Sequence, residues 1–215
     1  MRSGFDKQLT ELNREMISMG SLCENAIAMS AKALLDGDTA LAKKVSELSA
    51  QIERKERDIE SMCLKLLLQQ QPVAKDLRII SSALKMVTDM ERIGDHAADI
   101  SELTVAMAGT PYKLRGDNIK RMAAETIVML VDAVDSYVTK DMAKARAVID
   151  HDDVVDDLFL KVKADLIQVI RENPEYGEYA ADLLMVNKYL ERIGDHATNL
   201  AEWVIFALDN KGEGE

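Results

Sequence analysis

Apolar residues recur along this chain at intervals of three and four, the period of amphipathic helices. Phe5, Leu9, Leu12, Met16, Met19, Cys23, Ile27 and Leu34 make one such face, which predicts a helix over 5–35. Asp36-Gly37-Asp38 closes it: Gly37 suits a left-handed cap, and Asp38 the N-cap of a second helix. That helix carries Leu41, Val45, Leu48, Ile52, Ile59, Cys63 and Leu66, with Glu56 as a polar interruption. Gln70-Gln71-Pro72 reads as a turn, with Pro72 in the first turn of a third helix that Gly109 stops. After a joint holding Gly109, Pro111 and Gly116 the plan repeats, with a fourth helix over 117–139 and a fifth starting at Asp141. Asn173-Pro174-Glu175-Tyr176-Gly177 makes a turn, and a sixth helix covers 178–208. Alternating β-type segments are absent. The pattern predicts an all-α chain of two tandem antiparallel three-helix bundles, 1–109 and 110–215. The joint favours separable bundles over one six-helix array with a shared core.

The repetition is also literal. Glu91-Arg92-Ile93-Gly94-Asp95-His96-Ala97 returns unchanged as Glu191-Arg192-Ile193-Gly194-Asp195-His196-Ala197, so the halves are related by internal duplication. Glu91, Asp95 and Asp99 recur every four residues and form one strip of a helix. Like charges at this spacing repel by a few tenths of a kcal/mol per exposed pair. Leu77, Leu84 and Val87 lead into the strip, while Met86, Met90, Ile93, Ala97 and Ile100 form an apolar seam beside it. The carboxylates therefore border the packed interior.

A metal held by such a strip needs carboxylates from a second helix. The helix-two candidates are Glu47, Glu53 and Glu56, and the fifth helix offers Asp150, Asp153 and Asp157 on one face and Asp152 and Asp156 on another. His151, His96 and His196 are possible imidazole donors. All-oxygen ligation suits magnesium, manganese, calcium, iron or zinc. The other readings are an ionic lock with Arg92 and Arg192, and a plain solvated surface. The Glu-x-x-His element of di-iron bundles is missing, which counts against an oxidase. Gly94 and Gly194 inside helices cost about 1 kcal/mol each against alanine and point to close helix approach or room for a site.

Composition narrows the partners. A net charge of −11 and a pI near 4.8 disfavour nonspecific nucleic-acid binding and favour cations or basic protein surfaces. Two cysteines without CxxC spacing, Cys23 and Cys63, read as reduced core residues, and no apolar run suggests a signal segment or a span. A cytoplasmic protein is expected. Residual apolar stripe on long bundles suggests a homodimer.

The doubled motif, at Glu91 to Ile100 and Glu191 to Leu200, closely resembles the PhoU family over residues 5–208. The resemblance implies two similar three-helix bundles that hold metal ions, in some members as iron or zinc clusters. It assigns Glu91, Asp95 and Asp99 to one site and Glu191 and Asp195 to the other. Asn199 stands where the second site's third carboxylate is expected, so that site should be weaker. Ala50 falls at the helix-two position equivalent to Asp153. The role implied is negative regulation of the phosphate-starvation response, linking a transporter ATPase to a membrane sensor histidine kinase, without catalysis. A metal-dependent bundle enzyme and a metal-free structural adaptor are the alternatives.

Overall fold

The computed structural model describes residues 2–69, 73–110 and 116–209. Six long helices follow in order: α1 (Arg2–Asp36), α2 (Thr39–Gln69), α3 (Ala74–Ala106), α4 (Asp117–Thr139), α5 (Met142–Glu172) and α6 (Gly177–Leu208). A 3-10 turn, Pro174–Tyr176, sits before α6. The predicted turn at Gln70-Gln71-Pro72 and the middle of the joint, 111–115, lie outside the described residues.

The local signals work as their chemistry requires. Asp38 Oδ1 accepts from the Leu41 amide at 2.9 Å, and Asp141 Oδ1 from the Lys144 amide at 3.0 Å. Each carboxylate so satisfies a backbone donor that the first helical turn leaves free. Gly37 takes the left-handed conformation after α1, with φ 66°. After α4 the same job falls to Lys140, with φ 59°.

Each half is a three-helix bundle: α1, α2 and α3 pack on one another, and so do α4, α5 and α6. The halves then join along two lines, α3 against α6 and α1 against α4, and among the described residues α3 packs on α6 as extensively as it packs on α2 within its own bundle. The result is a front row in the order α2, α3, α6, α5 with α1 and α4 behind it. One hydrophobic core runs through both halves, from Leu12, Met16 and Ile52 through Met86 and Met90 to Leu183, Val186 and Leu190. The two bundles expected as separable thus share their core across α3 and α6.

The seam beside the strip is buried as expected: Met86, Met90, Ile93, Ala97 and Ile100 are all within 1% of full burial. Leu77 is the exception, being 46% exposed near the start of α3. Cys23 and Cys63 are free and buried.

Candidate metal centre

The motif glycines set the depth of the site. A Cβ on Gly94 would lie 2.8 Å from Ile52 Cδ1, and one on Gly194 would lie 3.2 Å from Val155 Cγ1 and 3.3 Å from Asp152 Oδ1. Close approach is therefore what these glycines provide, α3 onto α2 and α6 onto α5. The two contacts also fix the correspondence of the halves: α5 residues lie 103 positions after their α2 counterparts, and α6 residues lie 100 after those of α3.

In the first half the charge of Glu91 on α3 acts with those of Glu53 and Glu56 on α2, while Asp95 lines a cleft with Ser46 and Ser49 of α2. Burial, then the Asp95 charge, raises the Glu91 carboxyl above the usual range, with Arg92 opposing and Glu53 adding to the rise. Glu56 is raised by burial and then by Glu91 and Glu60, against Arg57 and Arg92. Arg92 stands 3.6 Å from Glu91 and 3.5 Å from Asp95. That is the geometry of the alternative ionic lock, but Arg92 is 56% exposed and the Glu91 carboxyl stays raised. Glu53 is bonded to Arg57 at 2.5 Å, and Glu47 is exposed.

In the second half the carboxylates whose charges act on the strip are Asp152 and Asp156. Burial first, then Asp156, Asp195 and Glu191, push Asp152 up to about 6. Asp195 rises through burial and Glu191, against Lys188. Asp150, Asp153 and Asp157 are exposed, and Asp153 and Asp157 sit about 100° round α5 from Asp152 and Asp156. Asp156 is exposed as well, so what sets Asp152 and Asp156 apart from the other α5 acids is that their charges reach the strip. The signal was present in the spacing of Asp152 and Asp156, but only the Gly194 contact tells which face turns to α6. Asp152 is equivalent to Ser49, Asp156 to Glu53, and Phe159 to Glu56. His151 turns away from the strip to Glu125 of α4, at 2.8 Å.

The third members of the two strips lie beside the seam between halves. His96 Nδ1 is 3.4 Å from Asp99 Oδ2, and Asn199 donates to Asp89 at 3.2 Å. His196 Nδ1 lies 2.8 Å from the same Asp89 oxygen. The two imidazoles face each other with centroids 5.5 Å apart, and His96 stacks on Tyr189 at 5.4 Å. Burial, then His196, lowers the His96 pKa, and the Asp99 hydrogen bond opposes the change. Asp89 and Tyr189 lie outside the repeated heptapeptide, and their part in the seam depends on α3 and α6 running antiparallel. Open clefts of about 390 Å³ and 530 Å³ flank this seam and share His96 in their walls.

Among the described residues, no three His, Cys, Asp or Glu side chains converge closely enough to hold an ion as they stand. The donor set nonetheless fits a hard or borderline cation. Each half offers carboxylates from two facing helices, and their mutual repulsion is only partly answered by arginine or lysine. Among the described residues no helix is long and apolar enough to cross a membrane.

A family model described as PhoU domain matches residues 16–104 and 119–204, once on each half. The chain belongs to the PhoU family. A phosphate-specific transport system accessory protein PhoU homolog from Clostridium acetobutylicum is 35% identical over 211 residues, 98% of this chain and 96% of that one. Its counterpart from Pseudomonas aeruginosa is 32% identical over 95% of this chain and 85% of its own length. The crystal structure of PhoU from Pseudomonas aeruginosa matches with a TM-score of 0.89, covering 95% of this chain and 98% of that one. The PhoU structure from Streptococcus pneumoniae, at 23% identity and a TM-score of 0.85, shares the fold.

Proposed function

We propose that this PhoU-family protein regulates phosphate transport and phosphate-responsive transcription, and that its two strips bind metal ions. The regulatory half is carried by one observation: 32–35% identity over nearly the whole chain to accessory proteins of phosphate-specific transport systems. On this reading the chain docks on the transporter ATPase and on a sensor histidine kinase in the cytoplasm, and turns over no substrate. The acidic surface would be steered to basic patches on those partners, so docking should weaken as salt rises.

Glu53, Glu56, Glu91 and Asp95 would hold the ion of the first half, and Asp152, Asp156, Glu191 and Asp195 that of the second. A bound cation supplies positive charge where carboxylates crowd at the edge of the core. The protein's own contribution is geometric: the two glycines let the carboxylate-bearing helices approach closely, and the side chains would turn together around an ion. Iron, zinc, manganese and magnesium all suit oxygen donors. A homodimer fits the same reading, since Leu64, Leu68 and Leu77 expose apolar surface at one end of the first half.

Deletion of the gene should derepress phosphate-responsive transcription in phosphate-rich medium. Wild-type protein should restore repression, and the Asp95→Asn, Asp195→Asn double variant should not. Normal repression in the deletion strain would contradict the regulatory reading.

A further inference from the structure

The duplicated strips are not chemically equal, and the difference is carried by a cation. Three residues before Glu91 stands Thr88, whose hydroxyl donates back to the Leu84 carbonyl at 3.3 Å and takes no part in the strip. Its counterpart is Lys188, whose Nζ donates to Glu191 Oε2. Across on α5, Phe159 replaces the acid Glu56, and the Lys188 ammonium lies 5.7 Å from the centre of its ring. The second strip thus carries an ammonium bonded to one ligand carboxylate and resting on an aromatic face. Arginine is used the other way round. Arg92 reaches Glu91 and Asp95, whereas among the described residues Arg192 makes no ion pair and lines the cleft beside His96 and His196.

We propose that Lys188 is a tethered cation that occupies the second strip, so that a divalent ion must displace its ammonium to bind there. The first strip, with Thr88 and Glu56 in the equivalent places, fills without that competition. The inference rests on the reading of both strips as cation sites, and it adds an order: first half, then second. The ammonium gives Glu191 a charge-assisted hydrogen bond, which must be broken before the carboxylate can turn to an ion. The Lys188 side chain is 41% exposed, so it can swing to solvent while its stem stays against Phe159. Two copies of one motif would then answer different metal concentrations.

Manganese(II) is the probe, with free ion counted by electron paramagnetic resonance on the full-length chain. Asp95→Asn isolates the second strip and Asp195→Asn the first. In these backgrounds Lys188→Thr should tighten the second strip about tenfold and leave the first unchanged. In the wild type, manganese should also make the Lys188 amine more reactive to an acetylating reagent, as read by mass spectrometry. Equal affinity at the two strips, untouched by Lys188→Thr and without a labelling change, would overturn the role of Lys188 and leave the strips as cation sites. No bound manganese in any variant would overturn both. Should Lys188→Thr fail to fold, wild-type labelling decides: unchanged reactivity at saturating manganese refutes the displacement.

Discussion

Gly94 has no side chain because α2 leaves no room for one. In Gly94→Ala the new methyl would press on Ile52, which is 1% exposed and hemmed in by core. Alanine gains about 1 kcal/mol of helix propensity, while overpacking costs about 1–3 kcal/mol. A net loss of about 1 kcal/mol, or roughly 2–4 °C in Tm, is expected. Adding Ile52→Val removes the clashing Cδ1, so the double variant should melt higher than the sum of the singles requires. Asp152 makes the opposite prediction. Its carboxyl is pushed up to about 6 by burial and by three like charges. A raised folded-state pKa contributes stability at low pH and loses it as pH climbs through about 6, so the metal-free protein should weaken between about pH 4 and 7. Asp152→Asn should flatten that slope in thermal melts and stabilise the metal-free fold at pH 7 by about 1 kcal/mol after solvent screening. The same change should cost metal affinity, as expected where function strains the fold. The strip itself was legible in the sequence, because four-residue spacing puts Glu91, Asp95 and Asp99 on one face wherever a helix forms. Which α5 acids oppose its copy was not legible. Aspartates at 150, 152, 153, 156 and 157 spread over nearly half of the helix circumference, wide enough to hold two separate faces.

The helices were legible because their apolar period is long and several boundaries have a local cause. The predicted 117–139 coincides with α4, and Asp38 and Asp141 cap as their side chains allow. Lys140 is the position that sequence reasoning passed over, since lysine does not advertise a left-handed residue. Its equivalent in the first half is Gly37, and both hold positive φ after a helix. An L-residue pays about 1–2 kcal/mol for that conformation, and glycine does not. Lys140→Gly should raise the unfolding free energy by up to about 1 kcal/mol once the extra freedom of unfolded glycine is subtracted. Urea titration checks it through a higher midpoint at unchanged slope. A lower midpoint would show that the Lys140 side chain contributes more than its backbone costs.

At the scale of the whole molecule, what sequence could not supply is the pairing of the halves. Periodicity states that a face is apolar, not which helix covers it. The antiparallel crossing of α3 and α6 brings His96 to His196 and Asp89 to His196 and Asn199, residues more than 100 positions apart or in different repeats. The two strips consequently sit on one face, on either side of a polar seam, and belong to one cooperative unit with one core. Asp89→Ala would leave His196 and Asn199 without their shared acceptor, and a loss of about 1–3 kcal/mol is expected in a single unfolding transition. Two separated transitions would refute the shared core. Whether the duplicated strips hold metal is decided by elemental analysis of purified protein after loading and exhaustive dialysis. Wild-type protein should retain metal, Asp95→Asn and Asp195→Asn should each retain less, and the double variant none, with helical content unchanged. Metal-free wild type after loading, or the same stoichiometry in all four proteins, would contradict the account.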